Sequence, residues 1–157
     1  MTLHTVSQLA LDGIGGFALP YLAGRVATGV FFVFSGYHKL TNAERRAALV
    51  ATLRDCNIPF VSLLQWVVPA VEFAGGLGVA FGLLTPLAAL GLAAICLIAA
   101  CTDGMRRVRA SSAIDTADKI DDALYLPEVP YFALLAMFVA NGAGPFSLDA
   151  MLRHLTG

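Results

Sequence analysis

Arg25 and Glu72 each lie inside a stretch long and apolar enough to cross a membrane. Around Arg25 the chain reads FALPYLAGRVATGVFFVFSGYHKL, from Phe17 to Leu40, and around Glu72 it reads FVSLLQWVVPAVEFAGGLGVAFGLL, from Phe60 to Leu84. An ionised group at bilayer depth costs at least ~2.5–3.5 kcal/mol on insertion scales, so it faces the bundle interior and has a partner. The two signs are opposite, and an intramembrane Arg25–Glu72 ion pair is the natural expectation. On the first stretch Arg25, Gly29, Phe32, Gly36 and Lys39 share one helical face, and on the second Gln65, Glu72, Gly76 and Val79 do the same. Two such stripes facing each other form either a close contact whose register a structural ion pair fixes, or a polar pocket. The pocket would take a quinone headgroup, a proton or a small hydrophobic ligand. Arg25, Glu72, Gln65 and Lys39 are its candidate ligand or proton residues; no catalytic group is assigned.

Composition sets the frame for this chemistry. Hydrophobic residues make up 58% of the 157 and charged residues 13%, with a mean hydropathy of +0.76. A soluble domain is about half apolar and a quarter charged. The net charge of −1 argues against nucleic acid as a partner. Four apolar runs read as spans: Phe17–Leu40, Phe60–Leu84, Leu87–Thr102 and Leu124–Ala143. About 20 apolar residues cover ~30 Å of hydrocarbon, which the first, second and fourth satisfy; the third would reach only roughly 24 Å. Thr85-Pro86 alone separates the second and third runs, which requires a tight hairpin with Pro86 in the first turn of the helix that follows. The fold class is therefore all-α, a four-transmembrane-helix bundle forming one domain over residues 1–157.

Basic residues orient the bundle. Lys39, Arg45, Arg46 and Arg54 surround the first connection, and Arg106, Arg107, Arg109 and Lys119 lie in the third. The second connection and the tail before Arg25 have none, and Arg153 alone is in the C-terminal tail. The positive-inside rule then puts the first and third connections in the cytoplasm and both termini outside. Residues 1–16 lack a basic n-region and an A-x-A-like site, so no cleaved signal peptide is expected. Gly13-Ile14-Gly15-Gly16 reads as a flexible entry to the first helix. Thr41-Asn42-Ala43-Glu44 matches a capping box. The Leu49, Val50 and Leu53 face behind it predicts a short amphipathic interfacial helix between the first two spans, ended by Asn57-Ile58-Pro59. Ser111-Ser112 marks a possible start of a second surface helix in the third connection, where disorder is the other reading.

Depth permits the proposed pair. If the first helix meets the cytoplasmic surface near Leu40 and the second leaves it near Phe60, Arg25 lies roughly 22 Å and Glu72 roughly 18 Å from that surface. Other chemistries have weaker support. Cys56, Cys96 and Cys101 form no CxxC motif and read as reduced, buried small hydrophobes. His4, His38 and His154 show no paired-ligand spacing, which argues against a haem or zinc site. Gly78 and Gly82 form GxxxG with Gly75 and Gly76 beside them, favouring packing within the chain over homodimerisation. Trp66, Tyr21, Tyr37, Tyr125 and Tyr131 fall near span ends as interfacial anchors would, Trp66 being the deepest.

These segments, in this order and spacing, are similar to those of the DoxX family across nearly the whole chain. The matching features are Gly24-Arg25, Phe31-Phe32, Ser35-Gly36 and Lys39-Leu40, then Asn57-Ile58-Pro59 and Glu72-Phe73-Ala74-Gly75-Gly76. They continue with Gly82-Leu83-Leu84-Thr85-Pro86-Leu87-Ala88-Ala89 and end with Gly142-Ala143-Gly144-Pro145-Phe146-Ser147-Leu148-Asp149. The resemblance implies a four-helix bacterial inner-membrane protein. Some members belong to membrane-bound oxidoreductase assemblies, including thiosulfate:quinone oxidoreductase. By position it makes Arg25 and Glu72 the polar core pair, with Lys39 at its cytoplasmic edge and Asp149 in the closing motif. No residue by itself holds a redox cofactor, so redox chemistry needs the flavin, metal or thiols of a membrane or cytoplasmic redox protein. The expected role is an accessory or anchoring subunit of a quinone-linked system. The alternatives are a carrier of a small hydrophobic molecule, which at this size would have to form a homo-oligomer, and a structural scaffold.

The orientation is directly testable. Reporter fusions at Gly157 are expected to behave as periplasmic, and a cytoplasmic readout overturns the arrangement.

Overall fold

The computed structural model describes residues 17–111 and 114–156. Among these residues the regular structure is helical: α1 (Ala18–Thr41), α2 (Ala43–Asp55), α3 (Val61–Phe81) and α4 (Thr85–Ala99) come first. A π-helical turn, Ala100–Gly104, leads straight into α5 (Met105–Ala110). α6 (Thr116–Leu124), α7 (Glu128–Asn141) and α8 (Leu148–Thr156) complete the chain. Three helical runs are long and apolar enough to cross a membrane: Ala18–Thr41, Val61–Phe81 and Thr85–Ala110. They become four if α6 and α7, bent by 55° relative to each other, count as one broken span.

α1 packs along α3, α3 on α4, and α4 on α7. The expected stripe on α1 is the buried one: Arg25, Gly29, Phe32 and Gly36 all face inward. Opposite them α3 buries Pro69, Glu72, Gly76 and Val79. Leu92, Leu135 and Phe138 fill the space between α4 and α7. Large apolar side chains such as Phe34, Leu63, Leu87, Leu90 and Ile98 point outward, as a lipid-facing surface requires. Lipid is as apolar as these side chains, so helix association there depends on close packing and polar contacts.

The closest packing is between α1 and α3, where glycines let the backbones touch. A Cβ on Gly29 would lie 2.5 Å from the Ala80 nitrogen, and one on Gly36 the same distance from the Phe73 nitrogen. Gly76 in turn sits against the Gly29 oxygen and the Val33 nitrogen. Gly75 and Gly78 face Leu92 and Ala88 of α4. The glycine run of α3 is thus used for contacts within the chain, on two sides.

Several boundaries differ from expectation. The third helical run does not stop at Thr102; the π turn absorbs Ala100–Gly104 and the helix continues to Ala110, so the run reaches bilayer length after all. The expected span Leu124–Ala143 is broken. α7 has 14 residues, about 21 Å by helical rise, and Pro127 separates it from α6. The cap of α2 is Asn42, whose Oδ1 accepts from Glu44 N at 2.8 Å, while the Thr41 hydroxyl donates to the Tyr37 carbonyl within α1. α2 does bury Leu53 and half-bury Leu49 and Val50. α6 begins at Thr116, capped by Asp115; Ser112, His4 and the Gly13–Gly16 run lie outside the described residues. Cys96 is buried as expected, but Cys101 is exposed and Cys56 half-buried.

Gly29→Ala and Gly36→Ala are each expected to destabilise the protein by about 1–3 kcal/mol, the usual result of overpacking. Gly24 has nothing within 4 Å of a Cβ, so Gly24→Ala should be stabilising by up to about 1 kcal/mol through helix propensity. Thermal unfolding in detergent reads all three, and equal effects at the three positions would refute the close contact.

Candidate functional site

Glu72 is 5% exposed and its partner is Lys39. The ammonium donates to both carboxylate oxygens at 2.7 Å, and the Ser35 hydroxyl donates to Oε2 at 3.2 Å. Ser35 and Lys39 are four apart on α1, so both project from one face toward α3. Lys39 is well placed for this role because its flexible stem lets the head reach inward from the last turn of the helix. Removing either member of such a buried pair strands the other charge, at a typical cost of ~3–5 kcal/mol.

Arg25 does not meet Glu72. Gly36 lies against Pro69 and Phe73, and Gly29 against Gly76 and Ala80, which puts Ser35 level with Glu72 and Arg25 level with Gly82. Arg25 is ten residues from Ser35, about 15 Å along the helix. The expected depth match assumed that Leu40 and Phe60 stand at the same level. They do not: Arg46, just beyond α1, stacks its guanidinium 4.3 Å over the Trp66 ring, so α3 starts well below the end of α1 and runs beside α2. Gln65 belongs to that lower part. It borders a groove with Ala43, Arg46, Val50 and Arg54 and donates to the Ser62 carbonyl, away from Glu72.

Arg25 instead ties down the opposite end of the bundle, at the α3–α4 hairpin. It is 1% exposed, and its Nη2 donates to the Phe146 carbonyl at 2.6 Å. Its Nη1 packs on Gly82, where a Cβ would overlap it at 1.7 Å. Gly82 also has φ +72°, a left-handed conformation that glycine adopts without steric cost. Asp149 completes this end. Its two carboxylate oxygens accept from Leu84 N at 2.9 Å and Thr85 N at 3.2 Å, and its own N–H donates to the Gly82 carbonyl at 2.9 Å. Leu84 sits at φ +48°, strained for a branched residue. Asp149 both holds that turn and caps the N-terminus of α4, whose preceding residue offers no polar side chain of its own. Tyr21 adds a hydrogen bond from its hydroxyl to the Gly142 carbonyl.

The Lys39–Glu72 pair borders a cavity of about 160 Å³ between α1, α4 and the start of α7. Phe31, Phe32 and Tyr131 supply aromatic walls, Cys96 a thiol and Glu128 a second carboxylate. Phe31 and Tyr131 stack with ring centroids 4.2 Å apart, and Phe31 is exposed on its outer side. Glu128 Oε1 accepts from Arg107 at 2.7 Å, while its Oε2 is buried and without a partner among the described residues. Arg107 and Arg106 both bind Asp103, and Arg106 also binds Asp55 at 2.8 Å. The π turn that carries Asp103 thus links the cavity's acid to the exposed charges of α2.

Glu128, Tyr131 and Cys96 were not among the residues expected at the site. A signal for Glu128 was present, since an acid inside the expected span Leu124–Ala143 is subject to the same rule that singled out Glu72. Among the described residues no three His, Cys, Asp or Glu side chains come together as a metal site.

Apolar helices of spanning length with large apolar side chains turned outward define a multi-pass membrane protein. The chain belongs to the DoxX family, whose model matches residues 21–103, more than half of its length. No curated protein and no solved structure matches it. The matched segment includes Arg25, Lys39, Glu72 and Cys96; it ends before Glu128, Tyr131 and Asp149.

A double-mutant cycle checks the pairing. Lys39→Met with Glu72→Leu together should cost less folded yield than Glu72→Leu does with Lys39 intact, the signature of a coupled buried pair. Arg25→Leu with Glu72→Leu should be additive within about 0.5 kcal/mol, as for separated sites. Strong coupling in the second cycle would put Arg25 and Glu72 in contact.

Proposed function

We propose that this protein is an integral inner-membrane accessory or anchoring subunit of a quinone-linked oxidoreductase system, with the Lys39–Glu72 cavity taking the quinone headgroup. The observation that carries this reading is an enclosed acid–base pair beside a cavity with aromatic walls. Its volume of about 160 Å³ is below the ~300 Å³ at which sites for whole drug-sized ligands begin. It suits a single ring whose apolar tail stays in the bilayer. Phe31 and Tyr131 offer ring faces for stacking. Lys39, with two N–H groups on Glu72, has a third to donate to a carbonyl oxygen. A bound quinone supplies the two-electron chemistry; this chain's residues orient the ring, neutralise charge and keep water out.

The same reading assigns the electron donor to a partner with a flavin, metal or reactive thiols. The partner would bind at the end of the bundle that carries Arg45, Arg54, Arg106 and Arg107. α6 and α7 together make the fourth span, with α6 turned toward the interface at the Pro127 bend. α2 is the interfacial helix between the first two spans, and both termini face outward under the positive-inside rule.

The test is a Lys39→Met, Glu72→Leu variant purified from membranes with its partners. An apolar cavity cannot hydrogen-bond a polar headgroup, so the variant should insert and keep its partners yet lose extractable quinone. Retention of quinone at the wild-type ratio overturns the headgroup reading. A variant that keeps partners and full activity would make the pair a scaffold element.

A further inference from the structure

A second concavity lies at the same end of the bundle, where α5, α6 and the start of α7 diverge. It encloses about 460 Å³, with walls from Val108, Ile120, Ala123 and Leu124 and with Arg109 and Lys119 beside them. The four basic residues of this region divide into two classes. Arg106 and Arg107 are taken up by Asp55, Asp103 and Glu128. The side chains of Arg109 and Lys119 have no ion pair or hydrogen bond among the described residues, and both border the groove.

The acids nearby are turned elsewhere. On α6, Thr116, Lys119, Ile120, Ala123 and Leu124 line the groove, at offsets that keep one helical face. Asp118, Asp121 and Asp122 fall on the opposite face by the same periodicity. Asp115 is occupied in capping, accepting from Asp118 N at 2.9 Å. The groove is thus apolar inside and positive at its border, with no acid among its lining residues.

We propose that this groove binds an anionic phospholipid, an acyl chain lying against Val108, Ile120 and Ala123 and the phosphate between Arg109 and Lys119. The location fits. The run Thr85–Ala110 is of spanning composition, so Arg109 lies at its end, at headgroup level. Ile114, Leu124 and Tyr125 leave apolar surface exposed around the groove, which suits a segment seated in the lipid interface. A water-soluble anion would engage the two cations and leave the apolar walls without an occupant. An anionic lipid satisfies both.

Native mass spectrometry of the full chain, titrated in detergent with phosphatidylglycerol or phosphatidylcholine, tests this. Each interfacial cation is worth about fivefold in affinity for an anionic lipid surface, hence roughly 30-fold for the pair. Wild type should retain phosphatidylglycerol over phosphatidylcholine by about that factor, and Arg109→Gln with Lys119→Gln should abolish the preference. Ala123→Trp, which fills the groove and leaves both charges, should also expel the lipid. Arg109→Lys with Lys119→Arg should keep it. Equal retention of the two lipids by wild type, or unchanged phosphatidylglycerol binding in the double glutamine variant, overturns the site. Displacement by millimolar inorganic phosphate, with Ala123→Trp unaffected, would show an anion site without a lipid and equally reject the proposal.

Discussion

The backbone contact between α1 and α3 is the constraint on which the rest depends. Gly29 and Gly36 allow these helices to approach until a single added carbon would strike main-chain atoms. Contacts this close have little tolerance for sliding, because interiors respond discretely to displaced volume. Once that register is set, the partners of every polar group between the two helices follow. Ser35 and Lys39 come level with Glu72, and Arg25 comes level with Gly82. A slide of one helical turn would separate Lys39 from Glu72 and drive the Arg25 guanidinium away from Gly82, which leaves room for it.

The two enclosed charges are accommodated by different means. Glu72 has a counter-ion and a hydroxyl donor, so its charge is compensated within a few ångströms. Arg25 has a carbonyl, Phe146 O, as its direct acceptor, and the Asp149 carboxylate is committed to the backbone of the hairpin. Guanidinium tolerates this better than ammonium because its charge is delocalised and more weakly hydrated. The arginine therefore serves as an organising centre for the segment after α7, drawing Phe146 and Ser147 over Gly82. With Asp149 on the hairpin turn, that segment locks the α3–α4 connection against α1. One end of the bundle is closed by these contacts, and the cavity lies at the other.

Much of the architecture could be read from the chain before its fold. Run lengths located the helices, and the 3.6-residue period picked out the buried stripes of α1 and α3. The glycines announced close packing, and Pro86 marked the hairpin. What could not be read was the vertical offset between helices, because composition reports which segments span and says little about where each begins relative to its neighbour. α2 intervenes between α1 and α3, and its docking lets α3 start below the end of α1. That offset moved Glu72 from Arg25 to Lys39. The π turn was also illegible: nothing in Ala100-Cys101-Thr102-Asp103-Gly104 distinguishes one extra residue per turn from an ordinary helix end. Glu128 and Asp149 were visible as residues, but their roles depend on contacts with elements far away in the chain.

The two acids that border the cavity are held differently. Glu72 is bound by Lys39 and Ser35, whereas Glu128 has one oxygen on Arg107 and one buried without a partner among the described residues. A buried carboxylate oxygen without a donor carries a desolvation cost that a paired one does not. A ligand with a hydroxyl or other donor at that edge of the cavity would relieve the cost. Glu128 is also the cavity acid connected through Arg107 and Asp103 to the exposed Arg106 and Asp55. The Lys39–Glu72 pair thus closes one side of the cavity, while Glu128 stands between that pair and the charged surface of Arg106 and Asp55.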